Sequence, residues 1–270
     1  MVISYMVAGL GNQMFQYACA RALSLRFDTD LLLNLKSYEN SDRQYQLDKF
    51  NIAPQPKFSN GESIEISIFE EPNWHGFFPE VLNLHGNVML IGFFQSETYF
   101  IDFADQIRRD FTLKDPISEA SRIWANRIQN DPMPVSLHIR RTDYVAQGEY
   151  LPSIDYYKRC IGILRENFPE ISLYIFSDDL NWCRQNLNFG LPTYFVDAND
   201  ESRGYEDMFL ISLCRHHVNA NSSFSWWGAW LDNRAGSLVF APRRYFKSYY
   251  RIAESKRIPQ RWIIFEERLR

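Results

Sequence analysis

Cysteine is scarce in this chain, and its thiols are too widely spaced to build a covalent or metal-bound core. The four cysteines are Cys19, Cys160, Cys183 and Cys214, and no two of them form a CxxC pair. Disulfide frameworks and zinc sites are recognised by regular, close cysteine spacings. We therefore expect four small, buried apolar side chains in a reducing compartment.

Long apolar runs are absent as well. No stretch approaches the about 20 apolar residues that a transmembrane helix requires. Residues 1–13 form a short apolar segment that runs into glycines, without the basic leader, apolar core and cleavage site of a signal peptide. These absences predict a cytoplasmic protein that is at most peripheral on the inner membrane face.

Net positive charge is also missing, because 29 Lys and Arg stand against 33 Asp and Glu, a formal net charge of −4. This balance argues against a globally basic nucleic-acid-binding protein. One end departs from it: residues 243–270 carry nine Lys or Arg and three Asp or Glu. That segment is compatible with peripheral contact with anionic lipid or a lipid-linked substrate, and also with a solvated helical tail.

Apolar residues, at 46% of the chain, are abundant enough for one large domain or two small ones. In the second half, short apolar runs alternate with segments of helical periodicity. The expected strands are 135–141, 171–176, 193–196, 218–220 and 238–241, and the expected helices are 154–168, 180–187, 206–214 and 224–231. Apolar strands that alternate with helices predict a parallel α/β sheet with helices on both faces.

The first half begins in the same way. Strands are expected at 2–7, 31–35 and 88–93, and helices at 14–26 and 101–111. Residues 37–87 follow no regular period, and the proline-bearing stretch 130–134 is the best linker. The economical architecture is two α/β units that meet across a cleft.

A glycine-containing turn, Gly-Leu-Gly-Asn at residues 9–12, joins the first strand to the first helix. Glycines allow close backbone approach, and the N–H groups of a helix start can bind phosphate. Dinucleotide binding is disfavoured, because Met14 occupies the place of a third glycine and Asp28 and Asp30 precede the second strand instead of following it. A simple tight turn is the alternative.

Two adjacent arginines, Arg140 and Arg141, follow the first strand of the second half. Neighbouring side chains of a strand point to opposite faces, so one arginine can enter a cleft while the other pairs with a carboxylate. A guanidinium fork binds a diphosphate through two parallel hydrogen bonds and stays charged at any relevant pH. His138 shares the face of Arg140. The alternative is a surface ion-pair cluster.

Residues 221–228, Asn-Ser-Ser-Phe-Ser-Trp-Trp-Gly, combine helix-capping residues with an aromatic cluster. Serine hydroxyls and the N–H groups of a helix start form an anion site. Helix capping together with core packing is the alternative interpretation of this string.

Metal chemistry is disfavoured by the placement of the acidic residues. The DxD string at residues 28–30 precedes a strand, in a turn-like position. The aspartate pair at residues 178–179 is better placed but lacks a second cluster of ligands nearby. We expect no bound metal.

Five strings together resemble glycosyltransferase family 11, the α-1,2-fucosyltransferases. They are GLGNQMFQYA at 9–18, GFFQS at 92–96, HIRRTDY at 138–144, SDD at 177–179 and ANSSFSWWGAWL at 220–231. They follow the family's order and span nearly the whole chain. Because the sequence shows neither a membrane anchor nor lumenal disulfides, it resembles a bacterial-type member.

This resemblance implies an α/β fold of the GT-B type, with two facing Rossmann-like domains and a cleft between them. Residues 1–131 would form an acceptor-side domain and residues 132–270 a GDP-fucose-binding domain, with a C-terminal helix packing back on the first. It also implies inverting, metal-independent transfer of L-fucose from GDP-β-L-fucose to the 2-hydroxyl of a galactoside, as in O-antigen synthesis. The expected partners are GDP-fucose and a galactose-containing glycan, with no nucleic acid and no cofactor.

The family's site residues are carried over onto the matching positions. Arg140 would grip the β-phosphate with His138 beside it, and Asp178 would face the guanosine. Ser222, Ser223 and Phe224 would line the diphosphate, and Asn12, on the opposite wall, would reach the phosphate or the fucose. Gly11, Ser177 and Asn221 are the remaining donor-binding candidates. Arg140 would then stabilise the charge that grows on the leaving diphosphate.

The acceptor hydroxyl must lose a proton, for which Asp143 is the first candidate base and Glu149 the second. The chain departs from the family at its start, where the usual pair of glycines before Leu10 is Ala8-Gly9; this change is mild provided that Ala8 has a negative φ.

Two rival functions stay open. One is a transferase for another nucleotide sugar. The other is a non-catalytic glycan-binding protein, although such a protein has no need of the arginine pair and the serine-rich helix start.

Overall fold

The computed structural model describes residues 1–53, 65–72, 76–245 and 256–265 of the protein. They form two compact units. Unit 1 contains Met1–Pro116 and the described part of Arg251–Pro259. Unit 2 contains Ile117–Tyr250 and Gln260–Arg270, again as far as these are described.

Unit 1 is built on a four-stranded parallel sheet. Its strands are β1 (Val2–Tyr5), β2 (Leu31–Asn34), β3 (Ser67–Glu70) and β4 (Val88–Ile91), in the spatial order β2-β1-β4-β3. Helix α1 (Leu10–Arg26) follows β1 and is buried along most of its length, and α2 (Ala104–Asp110) comes after β4. The strand–helix alternation expected here is confirmed, and β3 adds a strand within the region expected to be irregular.

Unit 2 is built on a six-stranded parallel sheet. Its strands are β5 (Pro134–Ile139), β6 (Ser172–Ser177), β7 (Thr193–Phe195), β8 (His216–Val218), β9 (Val239–Pro242) and β10 (Ile263–Phe265), in the order β10-β9-β8-β5-β6-β7. Its helices are α3 (Glu119–Asn130), α4 (Thr142–Gln147), α5 (Ile154–Asn167), α6 (Leu180–Asn186), α7 (Gly204–Leu213) and α8 (Ser223–Leu231). The expected α/β class with parallel sheets is confirmed.

Both faces of the second sheet are covered. Leu137 and Ile139 of β5 pack with Leu164 of α5 in one apolar cluster. Tyr174 and Phe176, two residues apart on the other face of β6, pack in another cluster with side chains of α3 and α7. Burial on both faces explains why these strands read as continuous apolar runs. Parallel pairing brings the carboxyl ends of β5, β6 and β8 to one edge.

The compact units divide one helix earlier than the expected boundary between residues 131 and 132. Helix α3 belongs to unit 2, where it packs against α7. Its N-cap, Ser118, also donates to the Glu206 carboxylate from its N–H (3.2 Å) and from its hydroxyl (2.6 Å). These contacts, which composition does not show, assign the helix to the second unit.

One local expectation was wrong. The turn expected at residues 9–12 is the beginning of a helix, with Gly9 as its N-cap and Gly11 and Asn12 in the first turn of α1. In the basic C-terminal segment, the described residues contain the strand β10. Residues 246–255 and 266–270 of that segment, and with them the expected C-terminal helix and lipid contact, lie outside the described residues.

All four cysteines are free and buried, as expected from their spacing. Within the described ranges, no helix has both the length and the apolar character needed to cross a membrane.

Candidate active site

The connection between β5 and α4 is folded by a carboxylate from the neighbouring strand. Asp178, just after β6, accepts hydrogen bonds from the backbone N–H groups of Arg141 (2.8 Å) and Thr142 (3.0 Å). It also accepts one from the Thr142 hydroxyl at 2.5 Å. Both carboxylate oxygens therefore hold the backbone that positions the arginines. Asp178 thus shapes the loop that the sequence singled out as a phosphate site.

Arg140 is held between two carboxylates at the edge of the sheet. Its Nη2 lies 2.6 Å from Asp143 Oδ2 and its Nη1 lies 3.4 Å from Asp178 Oδ2, and its side chain is 26% exposed. Burial alone lowers the pKa of Arg140, but the hydrogen bond to Asp143 and the negative charges of both aspartates outweigh it and raise the pKa. The guanidinium is therefore charged and fixed in place.

Arg141 is fixed in a different way. Its Nε lies 3.3 Å from Asp179 Oδ2, and its guanidinium stacks 3.7 Å from the centre of the Trp182 ring. The sequence predicted that one arginine can enter a cleft while the other pairs with a carboxylate. In the structure both arginines have carboxylate partners, Asp143 and Asp178 for Arg140 and Asp179 for Arg141.

His138 is a buried, neutral imidazole beside the start of α8. It is 5% exposed, and its ring centre lies 5.5 Å from that of Phe224. Burial lowers the pKa of His138 to about 4; Asp178 opposes the change and Arg140 adds to it. Its Nδ1 makes no hydrogen bond within the part of the chain that the structure describes. His138 therefore offers a hydrogen-bonding nitrogen and no positive charge at neutral pH.

Asn221 clamps the chain that follows α4. Its Nδ2 donates to the backbone carbonyls of Tyr150 (2.8 Å) and Tyr245 (2.9 Å), and the backbone carbonyl of Asn221 accepts from the Tyr144 hydroxyl (3.1 Å). Both amide hydrogens are therefore used to hold backbone. The side chain has no donor left for a phosphate, so Asn221 supports the site by positioning the segment that carries Asp143 and Tyr144.

In the serine-tryptophan string, residues 222–224 form the start of α8 and the tryptophans after them pack in the core. Ser222 is the N-cap, and its hydroxyl accepts a hydrogen bond from the Phe224 N–H at 3.2 Å. Ser223 and Phe224 are half-buried at the helix start, whereas the three tryptophans that follow are fully buried. The helix thus presents a positive dipole end at the sheet edge and an aromatic anchor below it.

Ser177 and Glu149 shape turns next to these groups. The Ser177 hydroxyl accepts a hydrogen bond from the Asp179 N–H at 3.0 Å. Glu149 follows Gly148, which ends α4 at a φ of 63°, and its N–H donates to the Tyr144 carbonyl at 2.8 Å.

The two site residues of unit 1 lie in the first turn of α1. Asn12 accepts a hydrogen bond from Gln95 through its Oδ1 at 2.6 Å. Just before the helix, Ala8 has a φ of +65°, so the condition under which its replacement of glycine would be mild is not met. Its carbonyl accepts from Gln13 Nε2 (3.0 Å) and the Tyr38 hydroxyl (2.8 Å), and these bonds fix it in a conformation that favours glycine.

Two polar side chains at the sheet edges were not among the expected site residues. Asn219 follows β8 next to the Leu137–Val218 pair, and its buried side-chain amide has no hydrogen-bond partner among the described residues. Gln95 lies in the GFFQS string, but its partner Asn12 is 83 residues away. Their places after strands were the signal available in the sequence.

A second polar row runs below this edge, and the side chains of its members Ser136, His217 and Asp232 are buried. The Ser136 hydroxyl lies 2.8 Å from His217 Nδ1, and His217 Nε2 lies 3.0 Å from Asp232 Oδ2. Asp232 also pairs with Arg234 at 2.7 Å. Burial lowers the pKa of His217, so a neutral imidazole links β5 and β8 to the Asp232 carboxylate in the segment after α8. Its order copies a hydrolase triad, but no substrate can reach it.

Within the described ranges, no group of three or more His, Cys, Asp and Glu side chains is arranged to hold a metal ion. The DxD string lies in the exposed turn before β2.

Two α/β units, each built on a parallel sheet, and the second with a fixed guanidinium and a serine-capped helix start at its sheet edge, are the features of a glycosyltransferase of the GT-B type. The chain belongs to glycosyltransferase family 11, whose family model matches residues 3–265. The resemblance drawn from the five strings is thereby confirmed.

Individual relatives agree with this assignment. The chain is 31% identical to an alpha-1,2-colitosyltransferase of Escherichia coli, over 98% of this chain and 99% of that one. It is 30% identical to the O-antigen biosynthesis glycosyltransferase WbnK of Escherichia coli, over 90% and 94% of the two chains. A galactoside alpha-(1,2)-fucosyltransferase 1 of Ateles belzebuth is 25% identical, over 82% of this chain and 62% of that one.

Among solved structures, the fucosyltransferase NodZ from Bradyrhizobium has the same fold. It superposes with a TM-score of 0.56 at 15% identity, over 84% of this chain and 92% of that one. The fold, the family and the enzyme class, a glycosyltransferase with relatives in O-antigen synthesis, are thus established.

Proposed function

We propose that this enzyme transfers L-fucose from GDP-β-L-fucose to the 2-hydroxyl of a galactoside, with inversion and without a divalent metal. The observation that carries the proposal is the meeting of two distant strings at one sheet edge. Tyr144 bonds to Asn221 across 77 residues of sequence, and His138 contacts Phe224. A charged arginine, a helix start and unpaired buried polar groups thereby converge where ligands bind in parallel α/β sheets.

The reaction requires the diphosphate to leave with its negative charge stabilised. An α-fucoside formed from a β-linked donor requires attack from the face opposite GDP, through a transition state with oxocarbenium character. Arg140 and the N–H groups at the start of α8 would bear the charge of the leaving group, as donors that are already oriented when the charge develops. An incoming phosphate would take the place of one of the two carboxylates that hold Arg140.

The remaining donor contacts follow from the same edge. His138 Nδ1 and the Asn219 amide are buried groups without protein partners among the described residues, and a bound nucleotide sugar would supply the partners that such groups require. Asp178 remains the candidate for the guanosine end, acting through the loop it folds, and Ser177 remains a donor-binding candidate beside it. Ser222, Ser223 and Phe224 would line the diphosphate.

Asp143 remains the first candidate for the general base and Glu149 the second. Arg140 Nη2 lies 2.6 Å from Asp143 Oδ2, so the guanidinium occupies this carboxylate oxygen in the structure. When the diphosphate takes over Arg140, Asp143 would be released to accept the proton of the acceptor hydroxyl. Donor binding would thus activate the base.

The acceptor we propose is a galactose-containing glycan, including a lipid-linked one, in the synthesis of a bacterial surface polysaccharide. The named relatives support this context, since one acts in O-antigen biosynthesis and another on galactosides. The enzyme would then work in the cytoplasm, where its basic C-terminal segment could meet the inner face of the membrane.

A second candidate donor is a GDP-linked colitose. The relative that is 31% identical over almost the whole chain is a colitosyltransferase. Colitose is L-fucose without the 3-hydroxyl, so the same phosphate site would serve both donors. Discrimination would depend on a single hydrogen bond to that hydroxyl.

The test is a transfer assay with four donors: GDP-fucose, GDP-colitose, GDP-mannose and UDP-galactose. Each is incubated with a panel of β-galactosides, with and without EDTA, and the product linkage is located by NMR. We expect an α-1,2-fucoside, formed at the same rate in EDTA. Faster turnover of GDP-colitose would select the second donor, and loss of activity that Mn²⁺ restores would overturn the metal-independent mechanism. Galactoside binding without any turnover would instead identify a glycan-binding protein.

A further inference from the structure

Two adjacent strands of unit 1 are each followed by a residue with a positive φ, a backbone conformation that residues other than glycine rarely adopt. β1 and β4 are neighbours in the sheet. Ala8, after β1, has a φ of +65°, and Phe94, after β4, has a φ of +51°. Neither residue is glycine. Strained residues of this kind persist where the surrounding structure holds them, and they concentrate at functional sites.

The loop after β4 is held in place by buried side chains. The Glu71 carboxylate accepts the N–H groups of Phe93 (2.7 Å) and Phe94 (3.1 Å). Gln16 Nε2 donates to the Gly92 carbonyl at 3.1 Å, while its Oε1 accepts from the Val7 N–H at 3.0 Å. The two strand ends are therefore tied together through a single glutamine.

Gly92 shows how tightly this loop is packed. A Cβ atom at Gly92 would lie 2.4 Å from the Cβ of Glu71, and its φ is +157°. No side chain fits there without moving the carboxylate that orders the loop.

The loop after β4 places Gln95 so that it makes one hydrogen bond to Asn12. Gln95, 8% exposed, donates from its Nε2 to Asn12 Oδ1 at 2.6 Å. Because this bond occupies the amide oxygen, Asn12 is turned so that its Nδ2 hydrogens point away from Gln95. In this orientation the side chain of the half-buried Asn12 offers its N–H groups, which suit an oxygen atom such as that of a phosphate or a sugar hydroxyl.

We infer that Gln95 is a positioning residue for Asn12: it fixes the Asn12 amide with its N–H groups towards an oxygen of the donor or the acceptor substrate. The inference rests on the proposed transfer reaction. It assigns a role to the GFFQS string: the hydrogen bonds from its backbone to Glu71 and Gln16 hold Gln95 in place.

The test is a double-mutant cycle on kcat/KM with GDP-fucose and a β-galactoside. Asn12→Ala and Gln95→Ala each lower kcat/KM by about tenfold, the effect of one lost hydrogen bond to substrate. The double variant is no worse than Asn12→Ala by more than about twofold, because both changes remove the same interaction. Gln95→Glu is as damaging as Gln95→Ala, since a carboxylate can only accept and turns the Asn12 amide around.

Gln106→Ala is the matched control. Gln106 also lies in unit 1 and donates from Nε2 at 2.6 Å, but to Asp110 of its own helix. We expect its kcat/KM to stay within about twofold of wild type. The substrate whose KM rises in Asn12→Ala and Gln95→Ala identifies the source of the oxygen, and either source supports the inference.

The outcomes separate this inference from the proposed function. If the wild type transfers no sugar from any of the four donors, the proposed function fails. If the wild type transfers fucose but the two losses multiply, or Gln95→Ala lowers thermal stability and leaves kcat/KM unchanged, only the positioning role is overturned.

Discussion

Among single residues, Arg140 is the one whose surroundings most constrain its chemistry. Asp143 and Asp178 hold its guanidinium from two sides, so its position does not depend on a substrate. A cation that is already oriented spends no reorganisation energy when charge develops on a leaving group.

Arg140→Ala should therefore lower kcat by about 10²–10³, the usual effect of losing one preorganised donor. Steady-state transfer assays measure this loss, and circular dichroism checks that the variant is folded. Arg184→Ala is the control, since Arg184 pairs with Asp197 at 2.9 Å on the surface. A variant at position 140 that keeps more than about a tenth of wild-type kcat is incompatible with the role.

Ala8 makes a prediction about stability. Alanine at a φ of +65° is strained where glycine is not. Ala8→Gly should raise the free energy of unfolding by about 1 kcal/mol, less the entropy that glycine adds to the unfolded chain. Urea denaturation measures the change. Ala120→Gly, on the exposed face of α3, should have the opposite sign, about 1 kcal/mol of destabilisation; equal signs would show that Ala8 is unstrained.

The carboxyl of Asp207 should make the stability of the protein depend on pH. Burial raises the pKa of Asp207 to about 7; the hydrogen bond from Asn199 opposes this, and the charges of Glu206 and Asp200 add to it. An unfolded aspartate titrates near pH 4, so between about pH 4 and 7 the folded state keeps a proton that the unfolded chain has lost. The associated stability is complete below about pH 4 and is lost as the pH rises through about 7.

Asp207→Asn removes this titration and keeps an oxygen for Asn199. Thermal midpoints should then fall less between pH 5 and 8 than in wild type, and at pH 8 the variant should be the more stable protein. The exposed Asp115→Asn makes the same change of charge and should leave the slope as it is. Parallel slopes for wild type and Asp207→Asn would contradict the raised pKa.

At the level of elements, α4 depends on groups that come from other strands. Asp178 holds its first turn, and Asn221 holds the chain on its far side. With six residues and no buried side chain, α4 has little packing of its own. Its position, and with it the position of Asp143, follows from these two side chains.

Asn221→Asp tests this dependence, because it keeps the shape of the side chain and removes both N–H donors. We expect a loss of about 2–3 kcal/mol in the free energy of unfolding, since two buried carbonyls lose their partners. Transfer activity should fall with it. Asn186→Asp removes one exposed bond to the Trp182 carbonyl and should have little effect. Wild-type activity in Asn221→Asp would show that α4 is held by other contacts.

The strands that could be predicted from the sequence are those buried on both faces, where apolar side chains fill every position. β8 was placed two residues late, because histidines at positions 216 and 217 look polar in the sequence. In the structure both are buried and hydrogen-bonded: His216 accepts from the Leu238 N–H, and His217 bonds to the Ser136 hydroxyl. β3 was missed because it is an exposed edge strand, and β10 because it is three residues long within a charged segment.

The site could be predicted as a set of residues but not as a set of roles. His138, Arg140 and Asp178 do meet at one sheet edge, as the positions after the strands indicated. That Asp178 would bond backbone, and Asn221 likewise, depends on loop paths that no local pattern encodes. The Gln95–Asn12 contact joins residues 83 positions apart, which periodicity cannot reveal.

For the whole molecule, the rate at which the buried thiols are alkylated measures how often the structure around them opens. Cys19 lies in unit 1, and Cys160, Cys183 and Cys214 lie in unit 2. Burial raises the pKa of Cys160 to about 12 and that of Cys183 to about 11, so alkylating reagents should modify them only when the surrounding structure opens. Peptide mass spectrometry after timed exposure to iodoacetamide then reports the opening of each unit separately, with no engineered label. If GDP binds unit 2, it slows modification of the three later thiols more than that of Cys19, and nucleotide affinity can be measured before any acceptor is known.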